Sequence, residues 1–72
     1  MENIKINTEY IKLDQFLKWC GVVETGAQAK EFILNGMVKV NGETELRRGK
    51  KLRDGDIVEI RGKEFRICMS NI

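Results

Sequence analysis

Histidine is absent from the 72-residue chain, and with it the side chain that most often serves as a general base near neutral pH. Cys20 and Cys68 are the only cysteines and stand far apart, so no set of four Cys or His ligands for structural zinc can form. A disulfide is not expected in a reducing compartment. The two thiols read as small buried hydrophobes; the other reading is a redox-active thiol, for which no flanking residue supplies a lowered pKa. Proline is also missing, so the turns rest on seven glycines. No apolar run approaches the roughly 20 residues of a membrane span. The opening MENIKINTEYIKL has no apolar core of a secretory signal, and a cytoplasmic location is expected.

Catalytic patterns are equally scarce. The single serine, Ser70, stands near the C-terminus, where chains commonly fray. Asp54 and Asp56 read as short polar residues framing a turn rather than as a carboxylate pair or metal site. Gly49-Lys50 lacks the earlier glycine of a phosphate loop, and Lys51 replaces its magnesium-binding hydroxyl. No enzymatic activity, cofactor, metal or small-molecule substrate is expected. With 42% apolar and 33% charged residues, the chain reads as one small folded domain over residues 1–72, with a thin core.

Positive charge is present, and it is concentrated. Residues 1–46 hold five lysines against seven acids, for −2; residues 54–72 hold three bases against four acids, for −1. The short stretch 47–53 alone carries +5, from Arg47, Arg48, Lys50, Lys51 and Arg53. Such a run is often only a solvated loop. Here it contains no acid and sits between strands, and its self-repulsion has no evident structural return. A phosphate backbone would offset that repulsion and release counterions. Arg47 and Arg48 offer bidentate forks to phosphate.

Periodicity places this loop in an α+β fold of order β-α-α-β-β-β, with helices on one side of a small sheet. Ile4 and Ile6 alternate in a strand over 3–7. Leu13, Phe16, Leu17 and Cys20 share one face of a helix from Lys12 or Leu13 to Cys20, stopped by Gly21. Thr25 and Gln28 form a capping box for a second helix whose apolar face is Ala29, Phe32 and Ile33, ended by Asn35-Gly36. Each helix is expected to be about ten residues long. Val38 and Val40 begin a strand that leads to Asn41-Gly42, a type I′ hairpin signal. Asp54-Gly55-Asp56 is a further turn. Ile57, Val58 and Ile60 form the next strand, Gly62-Lys63 turns it, and residues 65–68 return as the last.

Of the five aromatics, Phe16, Phe32 and Phe65 are committed to the core by periodicity. Trp19 falls between core positions, at the rim or partly buried against the sheet. Tyr10 is unassigned. An aromatic stacking platform for single strands is therefore not expected, and recognition of shape and phosphate is favoured.

The ordered set Lys12-Leu13-Asp14-x-x-Leu17, Gly21, Thr25-x-x-x-Ala29-x-x-x-Ile33, Gly36-x-Val38-x-Val40-Asn41-Gly42 and Gly55-Asp56-x-Val58 resembles the αL RNA-binding domain named after small-subunit ribosomal protein S-four. The resemblance covers residues from about 10 to 60. Arg47-Arg48-Gly49-Lys50-Lys51-Leu52 further resembles the small stand-alone bacterial members, the YaaA/YbcJ-like proteins. It implies RNA binding through the two-helix face and the neighbouring loop, with structured, ribosomal RNA as the partner. Lys12 stands where the family often has Arg, and Thr25 where it has Ser or Thr. Gly26 departs, since many members place an Arg there; Lys30, a turn further on, partly substitutes.

The expected RNA-binding residues are thus Lys12, Thr25, Lys30, Lys39, Arg47, Arg48, Lys50, Lys51 and Arg53. If the basic loop folds beside the second helix's N-terminus, the two make one anion-binding surface. Two rival readings remain: a duplex DNA binder using the helices, and a protein adaptor docking an acidic partner. A monomer is assumed.

Overall fold

The computed structural model describes residues 1–69, so Ser70 lies outside the described residues. Its order is β1 (Glu2–Ile6), β2 (Ile11–Lys12), α1 (Leu13–Trp19), α2 (Gly26–Leu34), β3 (Val38–Val40), β4 (Glu43–Thr44), β5 (Lys51–Leu52), β6 (Ile57–Ile60) and β7 (Lys63–Met69). The α+β class is as read from the sequence. The order β-α-α-β-β-β gains three strands, β2, β4 and β5. Each is two residues long, too short to show an alternation.

Both helices follow their apolar stripes but are shorter than expected, seven and nine residues. Leu13, Phe16 and Leu17 of α1 and Ala29 and Ile33 of α2 are fully buried. Gly21 and Gly36, at φ +79 and +73, take the left-handed conformation that lets the chain leave each helix. The capping box of α2 is formed: Thr25 Oγ1 accepts the Gln28 N–H at 3.1 Å, and Gln28 Oε1 accepts the Thr25 N–H at 3.3 Å.

Five strands form one sheet in the order β1-β7-β6-β3-β4. Neighbours are antiparallel except β1 and β7, which run parallel. Asn41-Gly42 turns β3 into β4, with both residues at positive φ (53 and 85). Arg61-Gly62 does the same between β6 and β7, at φ 54 and 79. The second turn is therefore one residue earlier than Gly62-Lys63, because Lys63 already pairs with Ile60.

Alternation gives the sheet two unlike faces. Ile6, Val38, Val40, Val58, Ile60, Phe65 and Ile67 pack with the buried helix residues in one core cluster. Phe16 and Phe65 meet edge to face at 6.2 Å. Lys5, Lys39, Glu64 and Arg66 are exposed on the other face. The two thiols are half buried, less than expected, and burial raises the Cys20 thiol above its ordinary value, which disfavours a thiolate. No helix among the described residues is long and apolar enough to cross a membrane.

Candidate nucleic-acid interface

The basic loop is fastened at its exit by one side chain. Leu52 is wholly buried, and it brings β5 against β2, pairing Ile11 with Leu52 and Lys12 with Lys51. A turn closed by the Lys50 N–H on the Arg47 carbonyl (3.2 Å) shapes the loop itself. This pairing carries the loop onto the start of α1. A helix leaves its first N–H groups without partners in the helix, and Lys12, at the N-cap of α1, has no capping side chain bond. The loop supplies the acceptors instead: the carbonyls of Lys50 and Arg48 accept the N–H groups of Leu13 (2.8 Å) and Asp14 (3.1 Å).

The anion surface weighed from the sequence required the loop to fold beside α2; the loop's hydrogen bonds go to α1. Its contacts tie it to α1, whose first N–H groups are consumed by loop carbonyls and not left for phosphate. Thr25, at the other helix, is engaged as a cap. Lys30 is exposed on α2. Lys39 sits on the outer sheet face, in register with Glu59 and Thr44, away from the core side that the helices cover. Of the nine expected residues, the structure gathers Lys12, Arg47, Arg48, Lys50, Lys51 and Arg53 around β2 and β5, and it sets Lys39 on the opposite sheet face.

Acids that are distant or overlooked in sequence meet this cluster in space. Arg47 grips Glu45 through two side-chain bonds, Nε to Oε2 at 3.0 Å and Nη2 to Oε1 at 3.2 Å. Arg48 Nε reaches Asp14 Oδ2 at 3.3 Å, across 34 residues of sequence. The two arginines with the best phosphate forks are thus already paired. Among the described residues, Lys12, Lys50, Lys51 and Arg53 form no ion pair. Lys51 Nζ and Arg53 Cζ lie 4.9 and 5.6 Å from the Tyr10 ring centroid, within cation–π range. These four cations carry the cluster's positive charge outside ion pairs, although Lys50 stands near enough to Glu45 to help hold its carboxyl low.

The Arg47 guanidinium, by hydrogen bond and charge, holds the Glu45 carboxyl below its ordinary value; the Arg47 value rises correspondingly. Ionised Glu45 therefore adds stability above the unfolded value of about 4.3, and that stability is lost as pH falls through the lower folded value. Glu45→Gln is expected to flatten the acid limb of stability below about pH 5, read from urea midpoints. It also frees Arg47, so affinity for a phosphate polymer should rise and not fall.

Asp54 and Asp56 behave as turn residues. Asp56 accepts the Arg53 N–H at 2.8 Å and the Asn41 side-chain amide at 3.1 Å, while Asp54 accepts the Met69 N–H at 2.8 Å. Among the described residues no three His, Cys, Asp or Glu side chains gather to hold a metal.

Sequence reasoning gave Tyr10 and Trp19 no part in the site. Tyr10 and Trp19 are 36% and 58% exposed and line one open groove of about 490 Å³ beside Lys12. The signal was there for Trp19, which is three residues beyond Phe16 yet off the buried stripe of α1; it places its indole Nε1 on the Lys5 carbonyl at 3.1 Å.

A family model described as S4 domain matches residues 4–68. A Bacillus subtilis protein named a probable ribosome maturation protein, RlbA, is 51% identical over 59 residues, covering 82% of this chain and 83% of its own. The Escherichia coli protein YbcJ is 38% identical over 58 residues, covering 81% of this chain and 83% of its own. The solution structure of YbcJ, described as revealing an αL motif involved in RNA binding, superposes with a TM-score of 0.72 at 33% identity, covering 94% of this chain and 87% of that one.

Proposed function

The chain belongs to the S4 domain family, and on that premise we propose that it is a non-catalytic RNA-binding module of the cytoplasm. Its target is structured RNA: ribosomal RNA or a ribosome assembly intermediate. The module is one domain over residues 1–72 and acts as a monomer. The observation that carries the reading is the seating of the basic loop on α1, which gathers Lys12, Lys50, Lys51 and Arg53, none of them in an ion pair among the described residues. The name of the B. subtilis relative and the motif of the E. coli relative support it.

Binding is driven by phosphate neutralisation and counterion release. A-form RNA is recognised by shape and backbone more than by base edges, which suits a small cluster of cations on a fixed frame. A duplex DNA reader needs a helix rich in contacts for the major groove. Helix α2 offers one base, Lys30, beside one acid, Glu31.

The test is fluorescence anisotropy of the protein against a structured ribosomal RNA fragment, a single-stranded RNA and a DNA duplex, each at several salt concentrations. Four to six phosphate contacts give a log–log salt slope of about −3 to −5 for the structured RNA, with weaker DNA binding. Absence of binding to any nucleic acid at low salt would contradict the reading and point to an acidic protein partner.

A further inference from the structure

We propose that the open groove beside α1 is a subsite for an unpaired nucleobase of the bound RNA, with the Trp19 indole as its stacking surface. This rests on the RNA-binding reading above and adds a base contact, which phosphate contacts alone do not provide. The groove, about 490 Å³, is walled by the β1–β2 link and by Tyr10, Ile11, Lys12, Gln15 and Trp19. It continues past Ile11, Gln15 and Trp19 to Lys18.

Three features fit a base better than a structural accident. First, Trp19 leaves more than half its surface in water in a chain with little apolar surface to spare. It is nonetheless held in place: its Nε1 donates to the Lys5 carbonyl of β1, so the one polar atom is satisfied and the exposed part of the ring is left for stacking. A pre-positioned aromatic loses little freedom when a base docks. Second, Lys12 both lines the groove and pairs with Lys51 across the β2–β5 ribbon, so groove and cation cluster are continuous. Tyr10 joins them too, since Lys51 and Arg53 already lie on its ring. A phosphate at Lys12 and Lys51 therefore sets the adjoining base at the groove. Third, the Gln15 carboxamide offers a donor and an acceptor to a base edge. Glu9 is the only acid on the wall; it disfavours a phosphate there and leaves that wall to the base.

The chain has one tryptophan, so its intrinsic emission reports this position alone. Two RNAs are compared, a hairpin with an unpaired loop and a perfectly paired duplex of the same stem. The hairpin is expected to quench Trp19 emission and the duplex to leave it unchanged. Trp19→Ala, whose fold is checked by circular dichroism, is expected to lower hairpin affinity about tenfold and to spare duplex affinity. Trp19→Phe, which keeps a stacking face, retains most of it. Hairpin binding with unchanged emission of the wild-type protein overturns the groove and leaves the RNA reading standing. Failure of both RNAs to bind overturns both.

Discussion

Reversing Lys12, Lys50, Lys51 and Arg53 to glutamate is expected to lower affinity for structured RNA by about a hundredfold or more near physiological salt, and to flatten the salt slope. None of the four forms an ion pair among the described residues, and none lies in the core cluster, so circular dichroism should be unchanged. The sharper form of this prediction compares two neutral pairs. Replacing Lys50 and Lys51 by glutamine should cost more affinity than replacing Arg47 and Arg48. Glu45 and Asp14 already neutralise the arginines. Equal losses from the two pairs would mean that RNA displaces the acids and takes the arginines for itself. Anisotropy titrations of the two double variants decide between these outcomes.

Leu52→Ala is expected to destabilise the fold by about 2–5 kcal/mol, the cost of removing a buried leucine and leaving a cavity. A chain of 72 residues has roughly 4–11 kcal/mol in total, so the variant sits near the edge of folding. The loss has a functional side. Leu52 is the buried residue that holds β5 against β2, and the loop reaches α1 through that pairing. Leu52→Met, similar in volume, should cost under about 1.5 kcal/mol and keep RNA binding. Urea unfolding checks the stability of both, and the Met variant separates loss of seat from loss of side-chain chemistry.

Much of the fold was legible because it is local. The stripes of α1 and α2, the Thr25–Gln28 capping box and the Asn41-Gly42 turn each depend on residues within about one or two helical turns or a two-residue loop. The site was legible only in part. That five cations crowd residues 47–53 is a fact of sequence. Where they go depends on the pairing of two distant two-residue strands, Ile11 with Leu52 and Lys12 with Lys51, and a two-residue strand leaves no periodic trace. The same tertiary step brings Asp14 to Arg48. Glu45, two residues before Arg47, stood just outside the charged run and escaped notice for that reason. The capped α2 terminus drew the anion-site expectation because a capping box is visible in sequence. The α1 terminus, capped by distant carbonyls, is not.

The central claim is that RNA meets the protein where the basic loop seats on α1. The measurement that tests it most directly is a titration of isotope-labelled protein with a structured ribosomal RNA fragment, followed by backbone amide shifts. The account predicts that the largest shifts fall on residues 10–14 and 47–53, with Lys39 and the other outer-face residues of the sheet unmoved. Shifts confined to the outer sheet face around Lys39, Glu59 and Arg66 would contradict it.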